Sequence, residues 1–455
     1  MSFEGEFASY EPLRRLLDSD KVESLRKRFK KRVPTEDSTE FTNDIVHKHE
    51  LEESELLPDL ILAIDGSKLD VKADNGFPGA EYGYVTIASI LLDMKKIHNL
   101  ENHQFIDPRE FRKTEKASTI EAVFPGCNII IDNEFNAKSS LRRAIYEEFK
   151  SNQIFSDSET LLQTYEYLFK IKRENFSDDS NLPKSPIEGF THKNMTYGYG
   201  EYTCPHSQEA LFSTDALRLH ELMNSGGSNG EMFGQIMSTF EKLWLVHILR
   251  AFENRGWLGT LRRVAFIMDG PLAVFSTSSW LTKVINYELK RINKLQKRIN
   301  KTDLLVFGIE KSGTFFNHFE EVDTTKDGFE DKFPKQSAFL LKDSYIKKNI
   351  IFSESQKPYG QDTYFGRKFF YKAASGQKIV PVVATYEEEQ ENMKTANSNQ
   401  FSRLADIMNL LDSLASSRYP NSVSPLISAH AEAAIPLNLG KRIFEDIAKE
   451  IRSSN

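Results

Sequence analysis

The chain has 455 residues, 39% hydrophobic and 27% charged, which is enough for one elaborated domain or two to three ordinary ones. A formal net charge of −7 excludes a polycation that coats nucleic acid in bulk, although a local basic groove remains compatible with it. Cys127 and Cys204 offer no disulfide framework, no apolar run approaches the roughly 20 residues that span a bilayer, and the first residues carry no signal-peptide core, so a cytoplasmic protein without membrane contact is expected.

Residues 10–32 are predicted helical, with Leu13, Leu16, Leu17 and Leu25 at helical spacing. They end in the basic run "RKRFKKR", followed by Pro34 and the polar "TEDSTE". This gives an N-terminal helical arm and linker over 1–54, its basic end either solvated or a phosphate-binding arm. Residues 59–65 of "LILAIDGS" are short and apolar and predict a strand ending at Asp65. Turn chemistry at Asn75-Gly76 and Pro78-Gly79 then leads into the β-branched run 84–94, making a hairpin.

Residues 95–230 read as an insertion or extra helical layer, with helical patches in "SLRRAIYEEFKSN" and "ETLLQTYEYLFKIKRENF" and one further strand in "FPGCNIIIDNEF". A helix is predicted over 231–254, with Ile236, Phe240, Leu243, Trp244 and Ile248 as its apolar face. The strand of "RRVAFIMDG" ends at Asp269; a second long helix and the strand of "DLLVFGIEKSG" follow. That spacing is a βαβ unit, so strands 264–269 and 304–309 are expected to be parallel. Residues 349–386 predict antiparallel strands turning at "ASGQ", residues 401–417 a helix, and 441–455 a C-terminal helix and tail. The sum is an α/β protein with a mixed sheet whose acids lie at strand ends, where such sheets place ligands.

Two apolar strands that each end in Asp-Gly raise a chemical question. Either instance alone is an ordinary turn. As a pair on neighbouring strands, Asp65 and Asp269 repel unless a cation lies between them, and hard ions such as Mg²⁺ and Mn²⁺ suit carboxylate oxygens. Two such ions can activate water against a phosphodiester and stabilise the leaving oxygen. A third acid is expected. Glu241 is bordered on its helix by Met237, Ser238, Trp244 and Leu245, an unusual setting for a merely solvated charge; Glu253, beside Arg250 and Arg255, is the rival. Lys311, directly after a strand, reads either as a cation beside a phosphate or as an ordinary strand-end lysine.

"LILAIDGS", a helical Glu, "VAFIMDGPL", "LLVFGIEKS" and a late "YP…PLISAH", in this order over about residues 58–435, resemble the NurA nuclease family. The resemblance implies an RNase H-like mixed β-sheet with flanking helices, here with a large, mostly helical insertion, within a nuclease domain over 55–440. It implies metal-dependent cleavage of DNA with two Mn²⁺ or Mg²⁺ ions, a homodimer, and a HerA-type hexameric translocase ATPase as partner, in DNA end processing or, for a bacterial member with such insertions, phage defence. Carried over by position, Asp65 and Asp269 match the metal ligands, Glu241 the helical acid, His430 the late histidine and Tyr419 the aromatic before it. "ENRGWLGTLRR" lengthens the step from Glu241 to Asp269 and keeps Glu253 in play; "NSVS" lengthens the step after Tyr419.

For DNA contact, Lys290, Lys294, Lys297 and Lys301 share one helix face opposite Ile285, Leu289, Ile292 and Ile299, and "YGQDTYFGRKFFYK" sets Arg367 among aromatics. "CPHS" with His220 falls short of the four ligands of a structural zinc site. Two other functions compete. A DNA-binding adaptor that docks the ATPase without cutting would not need the acids. A kinase of the actin and sugar-kinase type would need glycine-rich phosphate hairpins after both acids, which Gly76, Gly79, Gly83 and "PLAVF" do not supply.

Overall fold

A computed structural model describes residues 15, 17–29, 45–52, 57–72, 79–94, 115–132, 134–176, 186, 198–204, 208–324, 332–415 and 424–434. The chain divides into two compact units, Met1–Asn43 and Asp44–Asn455. The first contains helix α1, Asp20–Arg28, with acids in its first turn and Arg26, Lys27 and Arg28 in its last, the order that the helix dipole favours. No residue of α1 is buried.

The second unit begins with strand β1, Ile45–His47, inside the segment expected to be linker. Strands β2, Leu60–Lys72, and β3, Glu81–Asp93, form the expected hairpin, but β2 does not end at Asp65. It continues seven residues further and stays paired with β3 from Leu60↔Asp93 to Lys72↔Glu81. Strand β4, Glu115–Pro125, adds antiparallel to β3. It precedes the segment expected to be a strand. Ile120, Ala122 and Phe124 are buried at every second position, the mark of a half-buried edge strand rather than a continuous apolar run.

Helices α2, Ala137–Ser151, and α3, Leu161–Asn175, follow, each opened by a capping box from Asn136 and Thr160. Strands β5, Glu201–Thr203, and β6, Ala210–Phe212, pair with each other. Helix α4, Gly230–Asn254, is buried over consecutive residues from Thr239 to Leu249, because it packs on β2 and β3 and against α3 and α5 as well. Then come strand β7, Val264–Asp269, helix α5, Leu281–Asn300, and strand β8, Leu305–Glu310. Strands β7 and β8 are parallel, as the spacing predicts. Helix α6, Thr314–Asp323, strand β9, Ser337–Leu340, the hairpin of β10, Gly366–Lys372, and β11, Lys378–Ala384, and helices α7, Leu404–Leu414, and α8, Ser424–Ala433, complete the unit.

Among the described residues, nine strands form one mixed sheet in the order β1-β9-β10-β11-β8-β7-β2-β3-β4. One core, on the face covered by α2 to α5, takes Leu62, Ile64, Phe266 and Val306; the other, under α7 and α8, takes Ile61, Ala63, Ile267 and Phe307. Ile299, expected in the buried stripe of α5, is 59% exposed, because the helix is ending there and has left the core. Among the described residues, no helix is long and apolar enough to cross a membrane.

Candidate metal centre

The site forms where β7 leaves β2. Their parallel pairing runs from Leu60↔Val264 to Ile64↔Met268 and stops one residue short of both acids. Side chains alternate across a strand. Ala63 and Ile267 face the α7–α8 core, so Asp65 and Asp269 face the same side. Beyond Asp269 the chain turns at Gly270, whose φ of +82° suits glycine, and the Gly270 N–H bonds back to the Ile309 carbonyl at 2.9 Å.

The two Asp-Gly steps therefore have different causes. Gly270 makes a turn. Gly66 lies inside β2 and faces α4, and a Cβ there would sit 2.4 Å from Glu241 Oε1 and 2.8 Å from Met237 Cγ. Its lack of a side chain lets Glu241 reach the strand, and the Glu241 carboxylate accepts a hydrogen bond from the Gly66 N–H.

Helix α8 supplies the third candidate ligand. Leu426 and Ala429 are buried in the core beneath it, and the Thr86 hydroxyl donates to the Ala433 carbonyl at 2.6 Å. His430 then lies with Nδ1 3.0 Å from Asp65 Oδ2 while its side chain stays 61% exposed. One ligand atom from each of Asp65, Asp269 and His430 lies within 4.8 Å of the others. Lys311 Nζ is 2.7 Å from Asp269 Oδ2, and Lys242 Nζ is 2.7 Å from Glu241 Oε2.

Burial pushes the Asp65 carboxyl up to about 6; Asp269 and Glu241 add to the rise, and His430 and Lys311 oppose it. Burial likewise raises Glu241 against the pull of Lys242. The bond to Asp65 raises His430. Carboxylates that converge, repel and lose solvent, beside an imidazole nitrogen, suit a divalent cation.

The structure brings Asp65, Asp269, His430, Lys311 and Glu241 together. It keeps Glu253 apart: its carboxylate is held by Arg291 between α4 and α5, and that bond lowers its pKa. Tyr419 lies outside the described residues. Arg367, expected to meet phosphate, is 2% exposed, because its strand runs through the sheet interior; its guanidinium donates to the carbonyls of Gln390, Asn392, Leu341 and Thr395. The lysine row on α5 is interrupted by acids, with Lys290 on Glu391 at 2.7 Å and Lys297 on Asp303 at 2.9 Å, while Lys294 and Lys301 are exposed. Since α5 runs back from the Asp269 edge of the sheet to the start of β8, that row also leads away from the acids.

Two charged residues were passed over. Lys242 adjoins Glu241 on a buried helix, and its ammonium is 3% exposed. Glu310 is a third strand-end acid, directly before Lys311, and it pairs at 2.6 Å with the buried Lys368. Phe315 and Tyr364 enclose that ammonium, with ring centroids at 3.6 and 4.4 Å. An acid-lysine dipeptide in an otherwise apolar segment was the available signal for both.

The NurA domain family model matches residues 59–435. A solved structure of the NurA nuclease from Sulfolobus solfataricus is similar at 12% identity and a TM-score of 0.33, over 98% of this chain and 97% of that one. Another solved structure, of NurA, is similar at 10% identity and a TM-score of 0.31, over 97% of this chain and 96% of that one. No curated protein matches. With both Asp-Gly acids, the helical glutamate and the late histidine inside the matched span, the chain belongs to the NurA domain family.

Proposed function

We propose that the protein is a divalent-metal-dependent deoxyribonuclease that hydrolyses phosphodiester bonds in DNA end processing or antiviral defence. It works as a homodimer with a HerA-type translocase ATPase. The single observation that carries the nuclease reading is the convergence of Asp65, Asp269 and His430 to within 4.8 Å, where β7 parts from β2, in a NurA family chain. The order β4-β3-β2-β7-β8, with β3 alone antiparallel to its neighbours on both sides, supports an RNase H-like sheet as its frame.

Asp65, Asp269 and His430 would hold Mn²⁺ or Mg²⁺, with Glu241 beside them. Such an ion acidifies a water molecule and neutralises charge on the phosphate. The chain's own residues supply the rest. Lys311, held on Asp269, presents a cation to a phosphate oxygen. His430, with Nδ1 3.0 Å from Asp65 Oδ2, is placed to share the divalent ion with Asp65. Glu241, fixed by Gly66 and Lys242, places its carboxyl behind Asp65. Of the proposed DNA contacts, Lys294 and Lys301 on α5 are exposed and extend the footprint beyond these residues, and Tyr419 is proposed from the family resemblance alone.

Labelled single- and double-stranded DNA, incubated with Mn²⁺, Mg²⁺ or EDTA, tests the reading. Cleavage should require metal and fall roughly 10³-fold in Asp65→Ala and in Asp269→Ala. Cleavage that survives EDTA or both substitutions would sink the site. Absence of cleavage by the wild type, alone and with the ATPase, would make it a DNA-binding adaptor.

A further inference from the structure

A two-ion site needs carboxylate oxygens free for metal, and here one oxygen of each of two carboxylates already holds an ammonium group, in a buried pair at Glu241 and a partly exposed one at Asp269. Glu241 Oε2 is 2.7 Å from Lys242 Nζ, and Asp269 Oδ2 is 2.7 Å from Lys311 Nζ. The first pair is buried on both sides, with side chains 6% and 3% exposed, so water does not screen it. Glu310, the next acid along the sheet edge, is neutralised separately by Lys368. The three ligand atoms that converge within 4.8 Å come from Asp65, Asp269 and His430, and Glu241 is not among them.

The charges can be followed through the reaction. With Asp65, Glu241 and Asp269 ionised and His430 neutral, as a metal ligand must be, Lys242 and Lys311 leave one negative charge uncompensated. One divalent ion turns that into one positive charge, which the single negative charge of a phosphodiester cancels. Two ions would leave two positive charges in excess after the phosphate had bound, in a site whose acids are largely removed from solvent. Such an excess is costly where the dielectric is low.

We propose that Lys242 does for Glu241 what a second divalent ion would do, so that the site takes one ion, on Asp65, Asp269 and His430. Lys242 is then a positioning residue. It gives Glu241 a counter-charge and holds it at Gly66 without a metal of its own. This inference rests on the metal-dependent nuclease reading, and it departs from the pair of ions that the family resemblance implies.

Mn²⁺ titration followed by electron paramagnetic resonance and equilibrium dialysis counts the ions without relying on turnover. The wild type should bind one Mn²⁺ per chain, with no spin-coupled signal. Lys242→Arg, which keeps the charge, should also bind one. Lys242→Gln frees Glu241 and should bind a second ion, at least about tenfold more weakly than the first. If Lys242→Gln does not fold, the wild-type count and the Lys242→Arg count still decide. Two coupled ions in a wild type that cleaves DNA would overturn the inference and leave the nuclease reading intact, as would a count of one in folded Lys242→Gln. No bound ion, with no metal-dependent cleavage, would overturn both.

Discussion

Gly66 is the residue on which the site's geometry turns most directly. Its missing Cβ is the space that Glu241 occupies, at 2.4 Å from where that carbon would stand. In Gly66→Ala, either Glu241 or β2 must move. Overpacking of this kind costs roughly 1–3 kcal/mol, read from urea denaturation, and cleavage should fall more than about tenfold because Glu241 no longer backs Asp65. Gly270→Ala meets no neighbour within 4 Å but keeps a φ of +82°, so its cost should be strain of about 1 kcal/mol, without displacement of Glu241. A Gly66→Ala variant with wild-type stability and activity would show that the close approach is dispensable.

The element that makes the site conditional is α8. Its buried residues Leu426, Ala429 and Ala433 and the bond from Thr86 to Ala433 hold it on β2 and β3, and on it His430 reaches Asp65. Thr86→Val should cost about 1 kcal/mol, lower amide protection across 424–434 in hydrogen exchange, and reduce kcat more than it raises KM. Unchanged protection there would separate the Thr86 bond from α8 docking. Elements of this kind were only partly legible in the sequence. Buried parallel strands and long helices declare themselves through apolar runs and period, so β7, α5, β8 and the β10–β11 hairpin fall where expected. Strand β4 alternates weakly and was displaced by the more apolar segment after it. The end of β2 was misread because Asp-Gly looks like a turn, whereas pairing to β3 carries the strand through it. Asp65, Asp269 and His430 were visible as residues, but the Lys242 and Lys311 partnerships arise from packing that no spacing encodes.

At the scale of the whole molecule, pH acts through buried imidazoles as well as through the site. His220 and His247 are buried, and removal from water pushes both down to about 4. Their unfolded value is about 6.5, so below that pH the unfolded chain takes up protons that the folded chain refuses. The stability is complete above about pH 6.5 and is lost as pH falls towards 4, by up to about 3 kcal/mol for each group. Urea midpoints at pH 7 and pH 5 should show this loss, and a folded His247→Gln should lose less on acidification. An equal loss in that variant would assign the acid sensitivity to other groups.

The uneven lengths of β2 and β7 have a mechanical consequence. Asp65 stands on a backbone bonded to β3 for seven further residues, so its wall of the site is rigid. Asp269 ends β7 and Lys311 follows the end of β8, where both strands turn away, while His430 stands on a helix packed on β2 and β3. The centre is a jaw with one fixed side, and any adjustment to an incoming phosphate must be made by the other.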